Sequence, residues 1–282
     1  MTVKIVDVYK ENDISSPKNA VGRLTCYFGE TSKQISPGRR KPAVLILPGG
    51  GYFRTSAREM EPVALRFLAR GYAAFVLEYS CAPHSFPTPL REAAMAMMYI
   101  RRNAAEFEVD PSMVAAIGFS AGGHLCGMLG TLYDCPELAD LADGAVIRPD
   151  ALGLNYPVAV SWGPTHEDSF RNISGGDEAL AARLSLDKLA RPDMPPVFLW
   201  HTRDDGSVPC RNSLVLAEAL DAAGVDFTMH VYRKGKHGLS TADEMVYPAW
   251  GVPDISWDVT GWLESEIRFF GDCGLKIKDL EA

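Results

Sequence analysis

Several signatures are missing from this chain, and each absence narrows what it can be. No apolar run reaches the roughly 18 residues that a membrane-spanning helix requires. The first residues, Met1 to Asp13, mix charges among the apolar positions and lack the continuous apolar stretch of a secretory signal. Six cysteines (Cys26, Cys81, Cys126, Cys135, Cys210 and Cys273) are scattered without a CxxC pair. With no export signal, they are expected to be reduced thiols in a soluble, cytoplasmic protein. A basic excess is absent too: 28 Lys and Arg stand against 36 Asp and Glu, a formal charge of −8. Binding to phosphate backbones needs clustered positive charge, so neither nucleic acid nor a membrane is an expected partner. The run Arg39-Arg40-Lys41 is too short for such a patch and reads as a solvated loop. There is no HExxH and no pair of histidines at ligand spacing, so no metal is expected. P-loop endings and the Rossmann glycine spacing are likewise missing, and no cofactor is expected. The residues say nothing about oligomeric state.

What is present is an alternation of buried strands and amphipathic helices. Of the 282 residues, 47% are hydrophobic, enough for one sizeable core. Ala43–Leu47 is a continuous apolar run, as expected of a strand covered on both faces, and it stops at Pro48-Gly49-Gly50-Gly51. Glu61–Arg70 and Pro89–Asn103 carry their apolar residues at helical spacing. Tyr72–Glu78 and Met113–Phe119 read as further buried strands, with Asp110-Pro111-Ser112 as a turn before the second. Strands are also expected at Pro157–Ser161, Pro196–Thr202 and Phe227–Tyr232, and helices at Ala121–Thr131, Asn212–Ala223 and Ile255–Phe270. Val3–Tyr9 and Val21–Phe28 are read as an antiparallel edge. Such alternation predicts a mostly parallel α/β sheet with helices on both faces, in a single domain spanning 1–282. The stretch 163–195 is long for a simple connection, and it is read as a small cap contribution over a site. Ligands of such sheets gather at the carboxyl ends of the strands.

Gly118-Phe119-Ser120-Ala121-Gly122 lies at one of those ends, between an apolar strand and a helix-compatible run. A G-x-S-x-G in that context is a nucleophile elbow: the sharp turn strains the serine backbone and lifts its hydroxyl clear of the sheet. The N–H of Ala121 is left at a helix N-terminus, facing whatever Ser120 attacks. Gly50 and Gly51 follow the first buried strand, where a hydrolase expects further N–H donors for an oxyanion. Pro48 stands where the HGGG form of that loop has histidine. Serine also needs a base held by a carboxylate, in the chain order Ser, Asp or Glu, His. Of six histidines, His237 sits in a glycine-flanked loop after the last predicted strand and is assigned as the base. His124, one turn into the helix after Ser120, is read as packed. Asp204 and Asp205 both follow the preceding strand; Asp205 is favoured, leaving Asp204 to cap the next helix. Tyr52, Trp162 and Trp200 lie beside strand ends and are candidates for stacking on a sugar.

The segments LPGGGY at Leu47–Tyr52, EYSCAPHSFPTPLREA at Glu78–Ala93, GFSAGGHL at Gly118–Leu125, PPVFLWHTRDDGSVP at Pro195–Pro209 and KGKHGLS at Lys234–Ser240 stand in order. Together they resemble the acetyl-xylan-esterase-like α/β hydrolases, near the hormone-sensitive-lipase-like esterases. The resemblance implies an α/β-hydrolase fold, Asp205 as the acid and His237 as the base. It also implies removal of acetyl groups from acetylated sugars such as xylo-oligosaccharides. Ser80-Cys81 departs from the Arg-Leu common in relatives. A general short-chain carboxylesterase, an arylformamidase or a serine peptidase would use the same three side chains. A non-catalytic binding module would need none of them.

Overall fold

The computed structural model describes residues 1–29, 34, 39–142, 144–247 and 254–277. Its centre is one eight-stranded sheet. The strands are β1 (Thr2–Asp7), β2 (Arg23–Phe28), β3 (Lys41–Leu47), β4 (Ala73–Glu78), β5 (Val109–Phe119), β6 (Leu152–Asn155), β7 (Val197–Thr202) and β8 (Phe227–Tyr232). They lie in the order β1-β2-β4-β3-β5-β6-β7-β8. β2 runs antiparallel to both β1 and β4, and every pairing from β4 to β8 is parallel. The helices are α1 (Val8–Glu11), α2 (Glu61–Leu68), α3 (Thr88–Arg102), α4 (Ala121–Thr131), α5 (Gly144–Ile147), α6 (Glu167–Ser174), α7 (Glu178–Arg183), α8 (Leu186–Leu189), α9 (Arg211–Ala222) and α10 (Trp262–Asp272).

The apolar run of β3 shows why the sheet is sandwiched. Side chains alternate faces along a strand. Ala43, Leu45 and Leu47 join the core shared with α3, α4 and α9, whereas Val44 and Ile46 join the core shared with α2 and α10. All five are fully buried. Burying a Val, Leu or Ile side chain stabilises the fold by about 1.5–3 kcal/mol, so a strand apolar on both faces is held at the centre.

Three expectations need correction. The strand sought at Pro157–Ser161 lies five residues earlier, as β6. Tyr156 adopts φ 39° and turns the chain out of the sheet, and Pro157 has no N–H to offer a ladder. Val158–Val160 are buried without being a strand: the Val158 N–H bonds the Ser120 carbonyl, and the Ala159 and Val160 N–H groups bond Asn212 Oδ1. The turn at Asp110-Pro111-Ser112 is absorbed into β5 as an irregularity, where the pairing with β3 jumps from Lys41↔Val109 to Ala43↔Val114. The last helix starts at Trp262, after a single 3₁₀ turn at Val259–Gly261. Part of the basic run is also structured: Lys41 opens β3 and pairs with Glu108 at 3.0 Å. All six cysteines are free thiols. No helix among the described residues is long and apolar enough to cross a membrane.

Candidate active site

The turn from β5 into α4 places Ser120 at φ 54°, ψ −119°, a region that non-glycine residues rarely occupy. Three backbone hydrogen bonds hold it there. The Ser120 N–H donates to Asn155 O at 3.0 Å, and the Ser120 carbonyl accepts from Val158 N at 3.0 Å and His124 N at 3.1 Å. The flanking glycines are a steric requirement. A Cβ on Gly118 would lie 2.0 Å from Gly122 O, and one on Gly122 would lie 2.1 Å from Leu47 O.

His237 reaches this serine from the loop after β8. Its Nε2 is 2.8 Å from Ser120 Oγ, and its Nδ1 is 2.6 Å from Asp205 Oδ2. Asp205, in the loop after β7, is buried, with its other oxygen accepting the Ser207 and Val208 N–H groups at 2.9 Å each. Burial alone would raise the pKa of this carboxyl. Hydrogen bonds from His201 and His237, the charge of His237 and the Val208 N–H outweigh it and hold the group well below the usual carboxylate range. Asp204 does not cap the following helix. Its Oδ1 accepts the Gly235 N–H at 2.6 Å and so ties the histidine loop to the aspartate loop.

Gly50 and Gly51 face the same space as Ser120 and His237. Gly50 (φ 126°) and Gly51 (φ 66°) adopt conformations that glycine tolerates best, and a Cβ on Gly50 would meet Arg54 O at 2.1 Å. Neither N–H donates to another group among the described residues. The Gly51 carbonyl accepts from Asn172 Nδ2 at 2.9 Å, so α6 helps to fix the loop. Ala121 is the first residue of α4, where an N–H has no helical carbonyl to meet.

The cavity above these groups has a volume of about 510 Å³. Its walls are mostly polar: Arg54, Arg58, His166, Asp168, Asn172 and Ser207, with Phe53 at 74% exposure near the rim. The three aromatic candidates are not among its walls. Tyr52 is buried, and its hydroxyl bonds His124 Nδ1 at 2.9 Å. His124 is itself fully enclosed, and burial pushes its pKa down to about 4. Trp200 is wholly buried in β7, with its indole N–H on Asn155 Oδ1 and its ring stacked on Trp262. Trp162 is 43% exposed but lines a second cavity of about 480 Å³, with its N–H on Asp187 and Arg211 over its ring.

Other residues near the site carry no motif that marks them in the sequence. Glu59 is buried against the cavity with no motif around it. His201 ends a strand beside a buried tryptophan, yet its Nε2 lies 3.3 Å from Asp205 Oδ2. Phe53 follows Tyr52 directly, and only burial separates the two: Tyr52 is enclosed and Phe53 is exposed.

A mostly parallel sheet with a strained serine, an imidazole and a carboxylate at its carboxyl edge defines an α/β hydrolase. The comparisons agree. Residues 33–151 match the BD-FAE family model, and residues 96–249, more than half the chain, match that of the prolyl oligopeptidase family. The crystal structure of an acetyl ester-xyloside bifunctional hydrolase from Caldicellulosiruptor lactoaceticus superposes with a TM-score of 0.81 at 32% identity, covering 97% of each chain. Endo-1,4-beta-xylanase B of Butyrivibrio fibrisolvens is 36% identical over 78% of this chain and 36% of its own length. The acetylxylan esterase of Xylanibacter ruminicola is 28% identical over 86% of this chain and 48% of its own. The chain thus spans half or less of these two curated relatives. It belongs to the prolyl oligopeptidase family of α/β hydrolases and is similar to proteins named as acetyl ester and acetylxylan hydrolases.

Proposed function

We propose that this protein is a serine esterase that removes acetyl groups from acetylated sugars such as xylo-oligosaccharides, using Ser120, His237 and Asp205. The observation that carries the catalytic part is the unbroken contact from Ser120 Oγ through His237 to Asp205, at 2.8 and 2.6 Å. His237 Nε2 takes the hydroxyl proton as Oγ attacks the ester carbonyl. Asp205 accepts from Nδ1–H, which sets the tautomer and stabilises the imidazolium that forms. The N–H groups of Gly50, Gly51 and Ala121 receive the oxyanion; a single such donor contributes about 3 kcal/mol in comparable enzymes. As the tetrahedral centre collapses, the imidazolium gives its proton to the leaving sugar oxygen, and an acetyl-serine remains. Water attacks that ester with His237 again as the base, releasing acetate and restoring the serine.

The sugar assignment draws on the cavity's walls and on the relatives. Two guanidinium groups, the Asp168 carboxylate, an amide and hydroxyls suit a polyhydroxylated substrate better than a long acyl chain. Phe53 replaces Tyr52, Trp162 and Trp200 as the proposed stacking surface. We also propose that 163–195 acts as the cap, since it supplies His166, Asp168 and Asn172 to the cavity. Acetate release from acetylated xylo-oligosaccharides, compared with cleavage of long-chain aryl esters, formylkynurenine and prolyl peptides, tests the assignment. The highest kcat/KM is expected on the acetylated sugar. A preference for any of the other three would overturn it.

A further inference from the structure

Glu59 is a buried carboxylate that opens onto the cavity of Ser120 but has no part in the proton transfers above. It closes the short 3₁₀ turn Ala57–Glu59, and it is 3% exposed. Its two oxygens serve two different loops. Oε2 accepts the Gly49 N–H at 2.8 Å, and Oε1 accepts the Tyr156 hydroxyl at 2.8 Å. Gly49 immediately precedes the proposed oxyanion donors, and its carbonyl is held as well, accepting the Ser56 N–H at 2.9 Å. The Tyr156 oxygen accepts the Ser240 N–H at 2.9 Å, three residues beyond His237. The Tyr156 ring also meets the His237 ring edge-on, at 5.2 Å between centroids. One side chain therefore joins the backbone that leads to the oxyanion donors to the backbone that carries the base.

We propose that Glu59 is a positioning residue for the esterase reaction, whose carboxylate fixes the oxyanion loop relative to the His237 loop. The inference rests on the Ser120–His237–Asp205 assignment. A carboxylate suits the task because both partners arrive as donors, and only a group with two acceptor oxygens satisfies both. Glutamine has the same shape but one acceptor and one donor, so its amide N–H would face a donor. Burial pushes the Glu59 carboxyl up, against the Tyr156 and Gly49 hydrogen bonds and the charges of His237 and Arg58. Placement of reacting groups is costly to lose: errors near 1 Å reduce rates by about 100-fold.

The test is steady-state hydrolysis of a short-chain aryl acetate by the wild type, Glu59→Gln, Tyr156→Phe and the double variant. Each kcat is expressed per active site, counted by organophosphonate titration, so that a lower folded fraction does not register as slower chemistry. Glu59→Gln is expected to lower kcat by about 10- to 100-fold with KM within about 2-fold, because geometry at the reacting atoms changes and substrate contacts do not. Tyr156→Phe should lower kcat by less, and the double variant should fall no further than Glu59→Gln, because both cut one bridge. A Glu59→Gln protein with wild-type kcat per titrated site overturns the proposal, even if it melts earlier. So do two single effects that simply multiply. Should Glu59→Gln not fold, Tyr156→Phe, which removes one hydroxyl, decides alone: unchanged kcat overturns the proposal. A wild type that takes no organophosphonate overturns the triad assignment and this inference together.

Discussion

Asp205 is the residue whose surroundings say most about its role. Two backbone N–H groups and two imidazoles converge on one buried carboxylate. His201 Nε2 lies 2.9 Å from Val208 O, which can only accept, so that nitrogen carries a proton and leaves Nδ1 to accept from Ser213 Oγ. Its N–H is shared with Asp205 Oδ2, the same oxygen that His237 Nδ1 meets, so two imidazoles converge on one carboxylate oxygen. Replacing Asp205 by Asn keeps the shape but offers an N–H where His237 needs an acceptor; kcat should fall by roughly 10⁴-fold, measured on an aryl acetate. The depressed pKa also has a stability consequence. In the unfolded chain the carboxyl titrates near its ordinary 3.8, and in the folded protein it titrates lower. Its stabilisation is therefore complete above the unfolded pKa and is lost as pH falls through the folded one. Urea unfolding of the wild type and Asp205→Asn should show their stability gap shrinking as pH drops from about 5 toward 2. A gap that stays constant over that range would show that ionisation of Asp205 adds nothing to the fold.

Among elements, the turn between β5 and α4 is the most tightly determined. Its glycines are enclosed by backbone, which cannot move aside as a side-chain tip can. Gly122→Ala puts a methyl 2.1 Å from Leu47 O and 2.4 Å from Pro48 O. Overpacking of this kind commonly costs about 1–3 kcal/mol, and here the displaced backbone leads straight into the oxyanion loop. The variant should melt earlier and lose most activity even where folded, as read by calorimetry and by kcat per titrated site. Full activity would mean that the elbow tolerates a shift the geometry forbids. This element was legible in the sequence because everything it needs is local: an apolar strand, a glycine, a serine, a glycine and a helix. The loop positions of Gly50, Gly51, Asp205 and His237 were legible for the same reason, since each follows a strand whose end the apolar pattern marks. What could not be read depends on packing between distant segments. Trp200 and Trp162 share a residue type and a position near strand ends, yet Trp262 of α10 covers the first, whereas the second, with Arg211 over its ring, stays exposed. Glu59 meets Tyr156 across 97 residues of sequence, through the fold. The apolar stretch after Tyr156 imitated a strand because burial, not hydrogen bonding, is what the pattern reports.

At the scale of the molecule, most buried polar groups among the described residues are paired, and Glu266 of α10 is an exception. Neither of its oxygens meets a hydrogen-bond donor within bonding geometry, and Asn155 Nδ2 beside it is also unpaired. Burial raises its pKa well above the ordinary range, and Asn155 offsets this in part. The sign is opposite to that of Asp205. Above the unfolded pKa of 4.5 the unfolded chain is ionised at this position while the folded one keeps its proton, so the group opposes folding as pH rises. Glu266→Gln should therefore raise Tm at pH 8, and the gain should fade as pH drops below about 5. A destabilising effect at pH 8 would show that a charged Glu266 is paired in the folded protein. Glu266 abuts Gly153 in β6, next to the strand that ends at the serine, so its neutral form belongs to the same central layer that holds the elbow.

The account as a whole depends on Ser120 Oγ becoming the acylated atom. Mass spectrometry of the protein after incubation with an aryl organophosphonate, followed by peptide mapping, measures this directly. One adduct per chain is predicted, on the peptide containing Ser120, with acetate release lost in step with labelling and both abolished in Ser120→Ala. An adduct elsewhere, or a Ser120→Ala protein that still turns over acetyl esters, would contradict it.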